Sequence, residues 1–290
     1  MLDLVGMRPL QRITEYPFIV DLQEITGTPE GQASIRLWDD AAGAPVGFSL
    51  LDGTSLAFEI SPRAPFDDLA GQMLDWAMQK LTSAGESPAS PAELVIACRA
   101  EDLQRIAFLE RQGFVAQPVR TLRFMRSLEE PLPEPRLPEG FLIRPIRGEE
   151  EVGAWVALHR AAHATENMTV EFRLAMMRTP DYDRELDLVA VAPHGRLAAY
   201  VMCHFSPEEN RLRRQKVGYT DPVATHPDFQ RQGLARALLL AGFARLKQRG
   251  MHFAEVATWG ENTGMIKTAE ALGYRVCSTT IFFSRALAQD

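Results

Sequence analysis

The chain is short of the features that mark several protein classes. Only three of its 290 residues are cysteine, and Cys98, Cys203 and Cys277 sit singly inside apolar runs. An odd count with no pairing pattern argues against a disulfide framework, and no cysteine or histidine recurs at convincing metal-ligand spacing. Buried thiols in a reducing compartment, and no metal, are the expectation. Long apolar runs are absent. Among the longest is Ala237 to Ala244, far too short to span a bilayer. Met1-Leu2-Asp3-Leu4 has neither the basic start nor the apolar core of a signal peptide. A cytoplasmic protein without membrane contact is expected. Positive charge is also scarce. The 31 lysines and arginines face 38 acidic residues, and the net charge of −7 speaks against a nucleic-acid surface.

What is present suits packed globular domains. Hydrophobic residues make up 46% and charged residues 24%, which excludes a disordered chain. The length suits about two domains. A connector is evident from Leu128 to Gly140, where Pro131, Pro133, Pro135 and Pro138 alternate with glutamates. Such a stretch forms neither helix nor central strand and should be stiff and extended. The expected division is 1–128, a linker at 129–140, and 141–290.

The second part holds the most informative stretch, Gln230-Arg231-Gln232-Gly233-Leu234-Ala235. It follows an extended segment, Lys216 to Thr225, and the turn His226-Pro227-Asp228. It opens an amphipathic helix running to about Arg249. A glycine there lets the backbone approach a ligand. The free N–H groups of the first helical turn then converge on a spot that favours an anion. Arg231 and Arg236 add positive charge, or simply form a solvated helix face.

The pattern Gln-x-x-Gly-x-Ala resembles the pyrophosphate-binding motif of the GNAT acyltransferase superfamily. The surrounding order strengthens the likeness. A strand at 141–146 is followed by helices at about 149–162 and 169–177. Strands at 186–191 and 197–205 flank the turn His194-Gly195. The Lys216–Thr225 strand, the long helix, a strand at 253–258 and a helix at 263–272 opened by Asn262 come next. Two strands, Tyr274 to Cys277 and Thr279 to Ser284, close the series. The resemblance implies a mixed α/β fold, an α+β arrangement with a mixed sheet, in two tandem GNAT-like acyl-CoA N-acyltransferase domains. It implies acetyl-CoA as co-substrate and a small-molecule or peptide amine as acceptor. It assigns cofactor binding to Val223, Ala224, Thr225, Gln230, Arg231, Gln232, Gly233, Leu234, Ala235, Arg236 and Asn262. Pro222 inside a strand points to a bulge or splay, since proline cannot donate to a ladder. In the family that splay admits the pantetheine arm.

The first part reads as a faint copy. Asp102 to Phe114 aligns without gaps on Asn262 to Tyr274. Strands are expected at 35–38, 46–51, 55–60 and 94–98, and a helix at 66–81. Setting Ala70 on Ala235 places Asp67 on Gln232 and Asp68 on Gly233. Two carboxylates repel a pyrophosphate, so this part should be a degenerate, silent GNAT-like domain. The tandem architecture resembles that of mycothiol synthases.

Acyl transfer to an amine needs a base, and Asp221 is the lone acid on the Lys216–Thr225 strand. It stands as candidate catalytic base, or as a cap bonding a neighbouring main-chain group. Tyr219 is named with it as a candidate proton donor, with Tyr200 and His226 as weaker ones. In the family a tyrosine commonly lies seven residues after the asparagine. Here that residue is Ala269, so the usual acid is missing. Tyr274 is expected to pack in the core. His159 and His163, four apart on a helix, suggest a metal pair or, preferably, lining for the acceptor site or a polar helix face. The opposing functional reading is a non-catalytic acyl-CoA sensor or scaffold. Neither the acceptor nor the oligomeric state is legible in the sequence.

Overall fold

The computed structural model describes residues 22, 25–26, 28–83 and 93–287. The signal-peptide reading at residues 1–4 lies outside these. The chain divides into two compact units. The first comprises Met1–Leu122, Trp259–Glu261 and Ser278–Asp290, and the second Arg123–Thr258 and Asn262–Cys277.

In the first unit, a short helix α1 (Pro29–Ala33) precedes the antiparallel strands β1 (Ile35–Asp39), β2 (Pro45–Asp52) and β3 (Ser55–Ile60). Helix α2 (Phe66–Ser83) follows, then β4 (Glu93–Arg99), α3 (Leu103–Arg111) and β5 (Val115–Ser127), which from Arg123 onward belongs to the second unit. Leu69, Ala70, Met73, Leu74, Trp76 and Ala77 of α2 are buried at helical spacing. They join Phe58, Leu94, Ile96, Phe108 and Phe283 in one core. The chain's last strand, Arg275–Ala286, pairs antiparallel with β4 from Thr280 opposite Arg99 to Ala286 opposite Glu93. Two strands were expected here and one is found. Between Cys277 and Thr279 there is no Gly, Pro, Asn or Asp to turn the chain, and the β-branched and aromatic residues that follow favour continuation.

In the second unit, connector residues 131–138 have no regular structure. Strand β6 (Leu142–Pro145) leads through a 3₁₀ turn at Glu149–Glu151 into α4 (Val152–His163) and α5 (Val170–Met177). Next come β7 (Asp187–Val191), β8 (Leu197–Met202), α6 (Pro207–Arg213), β9 (Val217–Tyr219) and β10 (Val223–Thr225). Helix α7 (Leu234–Gln248), β11 (Phe253–Trp259) and α8 (Thr263–Ala271) follow, and the last strand, β12 (Arg275–Ala286), starts in this unit and belongs to the first from Ser278 onward. Every residue of β7 and β8 is buried. Helices cover both faces of these strands, with α4 and α7 each packed on β8, so their sequences run apolar without alternation. Gly242 lets α7 approach closely, because a Cβ there would come within 2.6 Å of Cys203 Sγ.

Helix α6 was not expected. Ser206 caps it by accepting a hydrogen bond from Glu209 N at 3.3 Å, with Pro207 in the first turn and Glu208 and Glu209 behind it. Those residues are a helix-start signal that the sequence carried. The aligned segments behave alike. Asp102 accepts from Arg105 N and Asn262 from Met265 N, each at 3.1 Å, to cap α3 and α8. One cysteine corrects the expectation of buried thiols. Cys98 and Cys203 are buried but Cys277 is exposed on β12.

Candidate active site

The segment Lys216–Thr225 forms two strands in two different sheets, so the expected splay at Pro222 is present. β9 pairs in parallel with β11, Val217 to Tyr219 lying opposite Phe253 to Glu255. Thr220 ends this pairing, its N and Oγ1 donating to Glu255 O at 2.9 and 3.0 Å. The chain then leaves β11, and β10 pairs antiparallel with β8, Ala224 lying opposite Tyr200. Pro222 O accepts from Met202 N at 3.0 Å, and His226 N donates to Ala198 O at 2.9 Å. Antiparallel ladders alternate, so Ala224 directs its main-chain groups at β8. Those of Val223 and Thr225 face the opposite edge, where Gln230 Nε2 comes within 3.5 Å of Thr225 O. This narrows the expected edge of Val223, Ala224 and Thr225 to its two outer residues.

The edge leads to the helix start. Arg231 (φ 63°) and Gly233 (φ 79°) both hold left-handed backbone. A Cβ on Gly233 would meet nothing within 4 Å, so its φ, not crowding, is what favours glycine. No side chain caps α7. The N–H groups of Leu234, Ala235 and Arg236 therefore lack helical acceptors, and Ala237 N makes the first bond, to Gly233 O at 3.0 Å. Gln230, Arg231, Gln232, Gly233 and Arg236 are exposed, while the Leu234 side chain is buried. Among the described residues neither Arg231 nor Arg236 forms an ion pair. The result is an open, positively biased anion cradle at the end of an unpaired strand edge.

Titratable groups gather where β9 and β10 part. Asp221 Oδ2 accepts from Ala257 N at 3.2 Å, taking the ladder position that the strand gave up. Its Oδ1 lies 3.9 Å from His204 Nε2, with the two side chains 30% and 35% exposed. Burial pushes the Asp221 carboxyl up, and the His204 and Arg123 charges pull it back. Burial pushes the His204 imidazole down, opposed by Asp221, Glu209 and Asp181. Sequence reasoning missed His204, which lies just past β8 with no motif around it. Tyr219 is buried, and its hydroxyl donates to Glu209 Oε2 at 2.7 Å. Burial and the Glu209 charge push its pKa well above the usual tyrosine range. A phenol so engaged is a poor proton donor, which counts against the catalytic role expected of it.

The profile of the Acetyltransferase (GNAT) family matches residues 138–274. This part of the chain belongs to the GNAT family. Among curated relatives, a mycothiol acetyltransferase of Pseudarthrobacter chlorophenolicus is 31% identical over 170 residues, 57% of this chain and 51% of the relative. One of Saccharopolyspora erythraea is 29% identical over 249 residues, 84% of this chain and 71% of the relative. The chain spans about half the length of the first curated relatives it matches. Two solved structures share the fold across nearly the whole chain. A tandem GNAT protein from the clavulanic acid biosynthesis pathway has TM-score 0.73 at 16% identity, covering 100% of this chain and 94% of that one. A GCN5-related N-acetyltransferase from Sphaerobacter thermophilus has TM-score 0.72 at 19% identity, covering 92% and 84%. The architecture is that of a tandem GNAT protein.

In the GNAT domain, Asn262 is occupied at both ends of its amide. Its Oδ1 caps α8 and its Nδ2 donates to Thr258 Oγ1 at 3.0 Å. Ala269, where the family commonly has tyrosine, is completely buried. Tyr274 packs edge-on against Phe243, and its hydroxyl lies 2.6 Å from Thr220 Oγ1. It is a core residue, as expected. His226 accepts from Asp228 N and meets Arg196 Nη2 at 2.7 Å.

The helix α4 side of the GNAT domain carries an aromatic and histidine cluster. Tyr200 is fully buried, its hydroxyl 2.7 Å from His159 Nδ1 and 3.1 Å from His163 Nε2. Trp155 stacks on His159 with ring centroids 5.3 Å apart, and Arg173 lies over Trp155 and pairs with Asp187. The two histidines thus share a phenol. Among the described residues no group of three or more His, Cys, Asp or Glu is placed to hold a metal ion. Nor, among them, is any helix long and apolar enough to cross a membrane.

Proposed function

We propose that this protein is an acetyl-CoA-dependent N-acetyltransferase that moves an acyl group to a primary amine, with the reaction confined to the second unit. One observation carries the reading: the unpaired edge of Val223 and Thr225 runs directly into the uncapped α7 N-terminus behind Gly233. An extended amide chain such as pantetheine adds to such an edge as a strand would. The diphosphate at its far end then meets the free N–H groups of Leu234, Ala235 and Arg236, with Arg231 and Gln230 beside them. Asn262 caps α8, and its contact with CoA is part of this proposal. The acyl carbonyl is left at the parting of β9 and β10, beside Asp221.

The relatives named mycothiol acetyltransferases support acetyl transfer. We leave the acceptor as a small-molecule or peptide amine, which α4, α5 and the Ala164–Thr179 segment would face. The division into a silent part at 1–128, a linker at 129–140 and an active part at 141–290 belongs to this proposal, as does a cytoplasmic location. Calorimetry and thiol release test it together. One acetyl-CoA per chain, with free thiol appearing only when amine is added, is the expected result. Binding without thiol release across a broad amine panel would favour the sensor reading, and two equivalent sites would overturn the silent first part.

A further inference from the structure

We propose that His204 and Asp221 act as one proton-accepting pair, taking the proton that an acceptor ammonium must lose before it attacks the thioester. The inference rests on the acyl-transfer reading above. It starts from placement. His204 and Tyr219 form the last bridge before the strands part, with Tyr219 N donating to His204 O at 2.7 Å and His204 N to Tyr219 O at 3.1 Å. Three residues after Tyr219 the chain is already on β8. Both side chains of the pair therefore sit at the apex of the fork, partly open to solvent, where the slot along β10 ends.

The neighbours hold the pair in position. The His204 ring stacks on the Tyr219 ring at 4.9 Å and 25°. Tyr219 is itself fixed between Glu209 and Arg213 Nη1, the latter 3.4 Å away. Arg213 and Arg123 both reach Glu255, at 2.5 and 3.4 Å. Tyr219 is a positioning residue in this arrangement, not an acid. Asp221 is fixed through Oδ2 by Ala257 N, which leaves Oδ1 for His204. At 3.9 Å the contact is electrostatic, longer than a direct hydrogen bond.

The surrounding charges act on the two groups in opposite senses: the acids near His204 favour its protonation against the larger effect of burial, and Arg123 favours the ionised Asp221. His204 is faced by Asp221 from the β9–β10 turn, Glu209 from α6 and Asp181 from the loop before β7. Asp221 is faced by His204, by Arg123 of β5 and by Glu255 of β11. Burial raises the carboxyl and lowers the imidazole, which brings the two groups' proton affinities toward each other. Three acids around one imidazole stabilise the imidazolium once it forms.

The step balances as follows. An N–H bond of the ammonium breaks and its proton passes to the pair. The freed lone pair forms the N–C bond to the acyl carbon. Collapse of the tetrahedral adduct breaks the C–S bond, and the thiolate takes the second proton from the amine nitrogen. The pair returns its proton to solvent. A lone carboxylate already bonded to Ala257 N would be a weaker base than this pair.

The test uses the full chain with spermidine, glucosamine and lysine amide as probe amines, and reads thiol release. His204→Gln and Asp221→Asn should each lower kcat by roughly 10²-fold or more, with KM for acetyl-CoA changed little. The double variant should be no worse than the worse single one, because the two act as a unit. His204→Phe keeps the stack on Tyr219 and should be as slow as His204→Gln. A His204→Phe enzyme with wild-type kcat and an unchanged rising pH limb would overturn the proposal and leave the acyl-transfer reading intact. A wild type that binds acetyl-CoA yet spares every probe amine would overturn both. An acceptor-free measurement adds a second check. The NMR titration midpoint of His204 should fall in Asp221→Asn, and a midpoint that does not move would break the pair.

Discussion

Set Ala70 on Ala235 and the two units can be compared residue by residue along β3 and β10. Phe58, Glu59 and Ile60 of β3 then correspond to Val223, Ala224 and Thr225 of β10. The ladder parity agrees. Ser61 N donates to Val46 O at 2.7 Å, so Glu59 faces β2 and Phe58 faces the opposite edge, as Val223 does in the second unit. In the second unit no strand among the described residues pairs with that edge, and Gln230 Nε2 reaches Thr225 O there at 3.5 Å. In the first it is filled. Arg105 of α3, only 3% exposed, donates Nη1 to Phe58 O at 3.1 Å, its guanidinium 4.2 Å from the Phe58 ring and 3.8 Å from Glu59. Its counterpart in α8 is Met265, which has no charge to place there. The helix starts differ as well. α2 begins at Phe66, the counterpart of Arg231, so Asp67 and Asp68 lie within its first turn. α7 waits until Leu234, because Arg231 and Gly233 hold left-handed backbone. Two separate features thus set the first unit apart, a filled edge and a helix that starts three residues earlier. The same strand position is core in one unit and a free edge in the other.

The largest effect expected from crossing the two units is at Gly233. Gly233→Asp installs the residue that the first unit has at this position, Asp68, and Asp strains the left-handed backbone while setting a carboxylate against the phosphates of the proposed site. Acetyl-CoA affinity should fall at least tenfold, about 1.4 kcal/mol, with circular dichroism unchanged. An unaltered dissociation constant by calorimetry would place the phosphates elsewhere.

Ala269→Tyr restores the family's usual residue, but the site is fully buried and packed. Overpacking costs about 1–3 kcal/mol, so this variant should unfold at lower denaturant and gain no activity. A faster, equally stable enzyme would mean that the pocket opens for the ring. Arg105→Met, the opposite exchange, unplugs the first unit and leaves Phe58 O without that donor, at a cost of about 1–3 kcal/mol. Calorimetry should still give one acetyl-CoA per chain, because Asp67 and Asp68 remain in the helix. A second site in this variant would make the arginine plug alone responsible for silence.

Much of this contrast was legible in the sequence. The glycine against two aspartates, the proline inside a strand and the matched caps Asp102 and Asn262 are local signals, and each names its own conformation. The plug was not legible, because Arg105 reads as one more polar residue on a helix until β3 and α3 are brought together. His204 was missed for the same reason: it becomes part of a site only through the bridge to Tyr219. Tyr219 was read as a candidate proton donor because the usual tyrosine is missing, and the sequence does not reveal that Glu209 of α6 takes its hydroxyl. The single last strand was misread because Tyr274 to Ser284 was cut at a position where no residue turns the chain.

The smallest effect separates the units by pH. All six histidines fall after residue 128, within the second unit. Burial, and then the charges of His163 and Arg173, lower His159 from its ordinary value to about 4. Burial lowers His163 and His204 as well. The sign follows from which state holds the proton. Below about pH 6.5 an unfolded chain protonates these imidazoles while the folded chain resists, so stability present above that pH is lost as pH falls toward about 4. Asp181, Asp187 and Asp221 are raised and act in the opposite sense, favouring the folded state at low pH and losing that contribution as pH rises through their folded values. The net melting curve therefore mixes both. A difference isolates the histidine: the melting temperature of wild type minus that of His159→Gln should be largest near pH 7 and shrink steadily toward pH 4. The imidazole is partly exposed, so the change should be a few degrees at most. A gap that stays constant across this range would mean that His159 takes up its proton as readily when folded as when unfolded, and that its contact with Tyr200 does not depend on a neutral ring.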